Sequence, residues 1–316
     1  MKKLFIMMML FVFVLCGCTQ GSGDDSFQVG VIQLVRHDAL DAATNGFVDV
    51  LNAEFGDKIS IDIQYASGDS ATCSTIASSF VSDGYDLILG NATASLQAAA
   101  HATNQIPVLG TAITEYGVAL DLDDFNGTVG GNISGTSDLA PLEGQADMLL
   151  ELLPEASRVG ILFCSGEPNS LYQVKVVKSY LQNKGIEVRE FAFADSNDVA
   201  LVTAQACDEV DVIYIPTDNT AASNGEIIAS TTSQANIPVI AGEEGVLTNC
   251  GGLATLSIDY YELGKTTGQM AIKILKGEAD ISQMPIEYFE EPVKKISLKM
   301  AEKYGIEVPE GYVTVE

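Results

Sequence analysis

The segment QVGVI at residues 28–32 returns as RVGIL at residues 158–162, and this repetition decides the fold. Each segment is a short apolar run, which is typical of a buried strand. Two further pairs recur in the same order: DLILGNAT (86–93) with DVIYIPTDNT (211–220), and NQIPVLGTA (104–112) with ANIPVIAGE (235–243). A repeat spacing of roughly 130 residues is far longer than that of a solenoid. The sequence therefore predicts two similar lobes.

Stretches with helical periodicity separate the strand-like runs, most clearly at residues 42–55, 95–103, 171–184 and 223–235. Strands that alternate with helices predict parallel sheets built from βαβ units. Strands that are apolar almost throughout suit sheets covered on both faces. We therefore predict an α/β protein with two Rossmann-like lobes, each built on a parallel sheet.

Two segments rich in small residues, 128–139 and 251–259, are predicted to cross between the lobes. We expect the amino-terminal lobe to comprise residues 27–134 plus 257–280, and the carboxy-terminal lobe to comprise residues 135–256 plus 281–316. A helix is predicted at about 261–276. In the tail, a short strand is predicted at about 286–289 and a helix at about 295–304.

The amino terminus has the pattern of an export signal. Lys2 and Lys3 precede an apolar run at residues 4–15, which is shorter than the roughly 20 residues that a membrane-spanning helix needs. The run ends in Leu15-Cys16-Gly17-Cys18, a lipoprotein box. We predict a signal peptide at residues 1–17, a lipid on Cys18 and a flexible tether at residues 18–26. The alternative is an ordinary signal peptide with a chance cysteine.

The charge of the chain excludes two classes of partner. Forty-three Asp and Glu residues face 16 Lys and Arg, giving a net charge of −27. Such a surface repels nucleic acid phosphates and anionic lipid headgroups, so we expect neither as a primary partner.

Four cysteines lie beyond the lipoprotein box: Cys73, Cys164, Cys207 and Cys250. No CxxC pair occurs among them, so a four-thiolate zinc site is not indicated. Export permits disulfides, but these residues are equally consistent with small buried side chains.

Ligands of open parallel α/β sheets bind beyond the carboxyl ends of the strands. In this chain that rule selects six loops, at residues 33–41, 90–93, 110–114, 165–170, 217–220 and 242–244. If the two lobes face one another, the six loops line a single cleft.

The residue types in these loops favour a zwitterionic ligand. Asn91 precedes a helix whose free amides attract a carboxylate, although simple capping explains it equally well. Glu167, Asp218 and Glu243 are acids able to hold an ammonium group, with capping again the alternative for Asp218. Arg36 and His37 are the only nearby cations in the first lobe.

Catalysis finds little support. The chain has two histidines, His37 and His101, and lacks HExxH, GxSxG, P-loop and strand-linked GxGxxG motifs. An acid–base pair drawn from Asp218, Glu167 and Glu243 is an alternative, but nothing in the sequence fixes their separation. We therefore expect no enzyme activity, no metal and no cofactor.

Four segments carry a family resemblance: TVGGNISGTSDL (128–139), EPNS (167–170), PTDNTAAS (216–223) and ATLSIDYYELGKTTGQMAIKILKG (254–277). With them the chain resembles the lipid-anchored substrate-binding proteins of ABC importers that have the type I periplasmic-binding fold, and within these the tryptophan- and tyrosine-type branch. The resemblance implies three crossings between the lobes, an extracytoplasmic location on the cell membrane, and closure around a ligand that creates the surface recognised by an ABC permease. A monomer is expected.

The resemblance also implies roles for individual residues. Asn91, Ala92 and Thr93 would hold the ligand carboxylate, Thr111 and Ser137 would add polar contacts, and Glu167, Asn169, Asp218 and Glu243 would orient the amine. The expected set of ligand-binding residues also includes Gln33, His37, Ser170, Asn219 and Asp259.

One departure from the branch concerns aromatic residues. The chain has no Trp, and Tyr116 and Tyr172 are the nearest candidates for stacking on an aromatic ligand. A small amino-acid-like ligand is therefore expected, with an aromatic one left open. A lipid-anchored sensor for a signalling receptor and a cleft hydrolase are the alternative functions.

Overall fold

The structure is a computed structural model, and it describes residues 26–289 and 291–316. The predicted signal peptide and Cys18 lie outside the described residues, as does all of the predicted tether except Ser26. None of the helices described is long and apolar enough to cross a membrane.

Strands and helices alternate through most of the chain. The strands are β1 (Phe27–Gln33), β2 (Ile59–Tyr65), β3 (Leu87–Asn91), β4 (Val108–Ile113), β5 (Ile133–Ser137), β6 (Arg158–Cys164), β7 (Glu187–Phe193), β8 (Val212–Ile215), β9 (Val239–Ala241), β10 (Ala254–Ser257), β11 (Glu287–Tyr288), β12 (Val293–Ser297) and β13 (Val313–Val315). The helices are α1 (Asp38–Phe55), α2 (Ser70–Ser82), α3 (Thr93–Ala102), α4 (Tyr116–Ala119), α5 (Leu142–Leu152), α6 (Pro168–Asn183), α7 (Val199–Glu209), α8 (Asn219–Ser223), α9 (Gly225–Ala235), α10 (Glu244–Asn249), α11 (Tyr260–Leu275) and α12 (Leu298–Tyr304).

The strands form two sheets, one in each lobe. The first has the order β2-β1-β3-β4-β5-β11, and the second has the order β7-β6-β8-β9-β10-β12-β13. The described pairings are parallel apart from the one between β10 and β12. This arrangement confirms the predicted α/β class with two lobes. Both sheets place the loops after their central strands at one edge, where a ligand site is expected.

Two short strands, β5 and β11, belong to the sheet of the first lobe, whereas the sequence assigned most of β5 and all of β11 to the second lobe. The sequence assigned residues 135–256 and 281–316 to the second lobe, but β5 pairs with β4, and β11 pairs with β5, in the first sheet. The first crossing therefore follows Ser137, and the chain visits the first lobe again before β12. Gly- and Ser-rich β5 lacks the apolar run that marks a strand, which is why the sequence reads as a linker there.

The carboxy-terminal tail also differs from the expected helix at 295–304. Residues 293–297 form β12, whose Ile296 is fully buried opposite Ala254, and α12 begins only at Leu298. Ser297 ends the strand and caps the helix by accepting a hydrogen bond from the Met300 amide. The lysine-rich pattern fits both periodicities over so few residues, so the pairing with β10 decides the structure.

Helix α11 returns the chain to the first lobe and packs closely on α1. A β-carbon added to Gly264 would lie 2.0 Å from the carbonyl oxygen of Ala43, and one added to Gly46 would lie 2.1 Å from that of Tyr261. Only glycine permits the two helix backbones to approach this closely. The glycines of ELGKTTGQM thus fix α11 against the first lobe.

The cysteines in the described part of the chain are free thiols. Cys73, Cys164 and Cys250 are buried and Cys207 is partly buried. Of the two readings that the sequence left open, the structure supports the small buried side chain.

Candidate functional site

Strand ends of both lobes meet around a narrow enclosed space, the central cavity. The first lobe contributes His37, Leu40, Ala112 and Thr114, and the second contributes Asn169, Thr217, Asp218, Asn219 and Glu243. Asp138, which lies in the first crossing, and Tyr260, which begins α11 after the second crossing, complete the lining. About 10 Å³ of this space is free, which is room for a single chemical group about the size of a water molecule, and such a group would touch both lobes and the hinge between them.

A wider space of about 790 Å³, the mouth pocket, lies beside the central cavity and also spans the lobes. Glu167, Asn169 and Asn219 line it from the second lobe. On the first-lobe side, Arg36 lies 5.0 Å from the centroid of the Tyr65 ring, in a cation–π arrangement. Since Asn169 and Asn219 line both spaces, the two form one continuous cleft.

Asp218 is fully enclosed and serves as the amino-terminal cap of α8. Its Oδ1 accepts from the Ala221 amide at 2.8 Å, and its Oδ2 accepts from the Cys164 amide at 2.6 Å and the Ser170 hydroxyl at 2.7 Å. Burial, with the charge of Glu167 adding to it, raises the pKa of Asp218 to about 8. Capping, the alternative that the sequence left open for this residue, is therefore what the structure shows.

Glu243 caps α10 in the same way. Its Oε2 accepts from the Gly245 amide at 2.5 Å and its Oε1 from the Val246 amide at 2.7 Å. Burial raises the pKa of Glu243 to about 8 in spite of these two donors.

Glu167 occupies the amino terminus of α8 instead of pointing freely into the cleft. Its two oxygens accept from the amides of Asn219 at 3.0 Å and Thr220 at 2.8 Å, and from the Thr220 hydroxyl at 2.7 Å. The side-chain amides of Asn219 and Asn169 donate to the same carboxylate at 2.7 and 3.1 Å. An internal carboxylate thus already fills a helix start that could otherwise attract an anion.

Asp138 is the acid that the sequence did not single out. It directly follows β5, is 3% exposed, and accepts through Oδ2 from the Tyr260 hydroxyl at 2.9 Å. Burial raises the pKa of Asp138 to about 6, while the hydrogen bond from Tyr260 and the nearby Thr114 hydroxyl oppose the rise. The position of Asp138 at the end of a strand could have revealed it. The sequence, however, predicts residues 128–139 as a crossing between the lobes and not as a strand.

His37 supplies no positive charge to the central cavity. Burial lowers its pKa, with the hydrogen bond to Asn219 and the nearby carboxylates opposing the shift. Its Nε2 lies 3.2 Å from Asn219 Oδ1 across the cleft, and its Nδ1 is buried with no partner. None of the described residues that line the central cavity is Lys or Arg, so the cavity is strongly acidic.

Asn91 lies at the predicted place but is turned away from the cleft. Its side-chain amide donates to the Leu40 carbonyl at 2.9 Å and to the Thr44 hydroxyl at 2.8 Å. Thr44 in turn donates to Gln33. Asn91 and Gln33 thus fix α1 against the sheet and do not line the central cavity or the mouth pocket.

Three other expected site residues are buried behind the cleft. Thr111 bonds with the hydroxyls of Thr136 and Thr267, Ser137 donates to the Thr114 carbonyl, and Ser170 donates to Asp218. They support residues that line the central cavity or hold α11 on the first sheet.

Ala92 and Thr93 begin α3, and the next residue, Ala94, lines the mouth pocket. Ala92 has φ 81° and ψ 159°, a combination that is essentially restricted to glycine. Asp259 is exposed, caps α11 by accepting from the Glu262 amide, and lines a separate shallow groove beside α10.

The two aromatic candidates lie outside the central cavity and the mouth pocket. Tyr116 is 1% exposed and donates from its hydroxyl to the Thr136 carbonyl, so it belongs to the core. Tyr172 is partly buried on α6. Tyr65, which the sequence did not single out, is the aromatic residue of the mouth pocket.

No group of three or more His, Cys, Asp or Glu side chains within residues 26–289 and 291–316 is arranged to hold a metal ion.

Two facing α/β lobes, an acid-lined cleft and a hinge that takes part in the cleft define the class of two-lobed ligand-binding proteins. The family model for ABC transporter substrate binding proteins matches residues 28–315. The chain belongs to this family.

Relatives with assigned ligands share a third of the sequence. A tyrosine-binding protein of Clostridioides difficile is 35% identical over 307 residues, covering 92% of this chain and 87% of the relative. An ABC domain from Streptococcus pneumoniae, solved in complex with L-Trp, is 33% identical with a TM-score of 0.86, covering 92% of this chain and all of that one. These similarities confirm the type I periplasmic-binding fold and the branch that the sequence resembles.

Two of the solved structures also bear on the conformation of the cleft. A ligand-free, open substrate-binding protein with adhesive properties from Clostridium difficile is 36% identical over the same coverage, yet its TM-score is only 0.69. At nearly equal identity, the L-Trp complex therefore matches the present arrangement of lobes better than the open form does.

Proposed function

We propose that this protein is the extracytoplasmic solute-binding component of an ABC importer, that it binds an amino acid between its lobes, and that it delivers this ligand to a permease. The lobes close on the ligand about the crossings after β5, β10 and β11. Contacts made only in the closed form supply the energy of closure.

The observation that carries the proposal is the set of three buried acids in the central cavity. Asp138, Asp218 and Glu243 are buried there around a neutral His37, with no Lys or Arg among the described lining residues. Buried carboxylates without a cation hold protons or recruit a positive partner. A ligand ammonium group supplies that partner, which favours amino acids over sugars.

The mouth pocket accommodates the remainder of the ligand. Ala94 and Gln97 of α3 and the guanidinium of Arg36 face this space, so a ligand carboxylate directed outward would meet a helix amino terminus and a cation. Tyr65 offers an aromatic face at the same place. The named ligands of two relatives, tyrosine and L-Trp, fit a space of this size and polarity.

Isothermal titration calorimetry with a panel of amino acids tests the ligand class. Each aromatic amino acid is compared with its deaminated and its decarboxylated analogue, and glucose and ribose serve as uncharged controls. We expect an amino acid to bind, the deaminated analogue to lose most of the affinity, and the sugars not to bind. Binding by sugars alone would refute the proposed ligand class.

We also propose that a lipid on Cys18 anchors the protein to the membrane. The support is the charged start, the apolar run at residues 4–15 and the box that ends at Cys18. Mass spectrometry of the mature amino terminus should find diacylglycerol on Cys18 in the wild type and in Cys16→Ser. Cys18→Ser should release the protein into the medium; retention on the membrane would contradict the anchor.

Delivery to a permease is tested by reconstitution. The ligand-loaded protein should stimulate ATP hydrolysis by its partner permease complex in proteoliposomes, and the ligand-free protein should stimulate it less. Equal stimulation by both forms would argue against ligand delivery.

A further inference from the structure

Among the described buried acids that line the central cavity or the mouth pocket, Asp138 alone has an oxygen that no protein donor satisfies. The two oxygens of Asp218, of Glu243 and of Glu167 all accept hydrogen bonds from amides or side chains of the second lobe. Asp138 accepts from Tyr260 through Oδ2, whereas Oδ1 is buried without a partner. The hydroxyl of Thr114 lies near this carboxyl but does not meet hydrogen-bond geometry at Oδ1.

A carboxylate oxygen buried without a donor is costly, and native proteins rarely leave one unsatisfied. Oδ1 of Asp138 belongs to a residue that lines the central cavity, as does the unpartnered Nδ1 of His37. Both atoms accept hydrogen bonds when the histidine is neutral and donates from Nε2. A primary ammonium group carries three donors, one of which would satisfy Oδ1 of Asp138.

We propose that Asp138 is the residue that binds the ligand ammonium group, and that Tyr260 is a positioning residue that holds the other oxygen of Asp138. This inference rests on the proposed function and deepens it, since it specifies a ligand with a free primary amine. Asp218, Glu243 and Glu167 are then structural acids that cap helices and set the shape of the second-lobe wall.

The position of the pair links the amine to the hinge. Asp138 follows β5 in the first crossing, and Tyr260 begins α11 after the second crossing. Their hydrogen bond of 2.9 Å joins residues 122 positions apart. An ammonium group on Oδ1 therefore binds where this hydrogen bond already joins two crossings. The hinge itself thus recognises ligands that have an amine.

Ionisation of Asp138 provides a readout that a merely structural role would not give. Burial raises its pKa to about 6, and hydrogen bonding to Tyr260 holds it below what burial alone would give. The ammonium group requires the ionised carboxylate, so affinity should fall by up to about tenfold per pH unit below pH 6. Removing the Tyr260 hydroxyl raises the pKa of Asp138 and moves this fall to higher pH.

The other acids around Asp138 have pKa values raised above this window. Those facing it are Tyr116 of α4, Tyr260 of α11, His37 before α1, Asp218 before α8 and Glu243 before α10. The pKa values of Asp218 and Glu243 are raised to about 8, those of both tyrosines are raised well above their usual value, and that of His37 is lowered. Between pH 5 and 7, Asp138 is the acid of this set whose charge changes most.

The test is calorimetric titration of the full chain with L-tyrosine and L-tryptophan between pH 4.5 and 7.5. Asp138→Asn should lose about 100-fold or more in affinity and the fall near pH 6. Tyr260→Phe should lose about 5- to 20-fold and shift the fall upward in pH. Asp208→Asn, an exposed change on α7 with the same loss of charge, should match the wild type.

The outcomes separate this inference from the proposed function. If the wild type binds neither these two nor any other amino acid, the proposed function fails and this inference fails with it. If the wild type binds one of them, and Asp138→Asn binds it within threefold at every pH, the proposed function stands and the role of Asp138 is refuted. Thermal unfolding of each variant verifies that the loss of binding is not a loss of folding.

Discussion

His37 Nε2 lies 3.2 Å from Asn219 Oδ1, joining residues 182 positions apart in the two lobes. Asn219 accepts here and donates through Nδ2 to Glu167, so the histidine bonds with a side chain that is itself held in place. Both residues line the central cavity, and this buried contact between the lobes is made only when the lobes are close together.

Loss of this contact should weaken closure. We expect His37→Ala to lower ligand affinity by about two- to tenfold, since one buried hydrogen bond contributes about 0.5–1.5 kcal/mol. X-ray scattering should show a larger mean radius of gyration for the variant at a ligand concentration that saturates half of the wild type. His101→Ala on the exposed face of α3 is the control and should change neither quantity. Equal affinity in all three proteins would show that the contact does not contribute to closure.

Packing between α1 and α11 should be sensitive to a single methyl group. In Gly264→Ala the new β-carbon would lie 2.0 Å from the Ala43 carbonyl oxygen, so the helices must separate. We expect a loss of about 1–3 kcal/mol in the free energy of unfolding, measured by chemical denaturation. Gln269→Ala, on the exposed side of α11, should stay within about 0.5 kcal/mol of the wild type. If Gly264→Ala leaves the free energy of unfolding unchanged, the two helix backbones are further apart than described.

Stability of the empty protein should fall as pH rises. Burial raises the pKa of Glu243 to about 8, against about 4.3 for an unfolded chain. The folded state therefore binds more protons than the unfolded state over this window. The stability that protonated Glu243 contributes is fully present below about pH 4.3 and is lost as pH rises through 8. Thermal unfolding of the wild type and Glu243→Gln at pH 5.5 and 8.5 measures the effect. The variant should lose less between the two values; an equal loss would assign the effect to other groups.

Backbone strain at the start of α3 should be relieved by glycine. Ala92 adopts φ 81° and ψ 159°, which costs a non-glycine residue about 1–3 kcal/mol. Glycine adds about 0.5–1 kcal/mol of entropy in the unfolded chain, so we expect Ala92→Gly to stabilise by about 1 kcal/mol in thermal unfolding. The same change two residues later, Ala94→Gly, lies in the helix and should destabilise by about 0.5–1 kcal/mol. Destabilisation by both changes would exclude strain at Ala92.

Much of the fold could be predicted from the sequence because its signals are local. Apolar runs at the starts of β1 and β6, and helical periodicity between strands, define the two lobes without any tertiary information. The sequence did not predict β10, which lies in a segment expected to be a crossing, or the three-residue β13. It also missed two strands that lack such runs: β5 is rich in glycine and serine, and β12 carries two lysines. Their structure depends on pairing with β4 and β10, which is a long-range effect.

The sequence predicted which loops form the candidate site better than it predicted which side chains line it. His37, Asn169, Asp218, Asn219 and Glu243 do line the central cavity, because strand ends of parallel sheets share an edge. Asn91, Thr111 and Ser137 lie at the same edge, but their side chains are buried inside the first lobe and do not face the cleft. Whether a polar side chain at a strand end faces the cleft or the sheet depends on its χ1 rotamer and on its neighbours, which residue type does not reveal.

The sequence by itself determined two homologous lobes, the loops that face the gap and the acidity of that gap, since each follows from local hydrophobicity and residue type. Only the tertiary structure decided which acid has an oxygen left for a ligand. Asp218, Glu243 and Glu167 bond with amides at helix starts, whereas Asp138 meets Tyr260 from 122 residues away. Hydrogen-bond saturation depends on where distant backbone donors come to lie, and the folded chain alone fixes those positions.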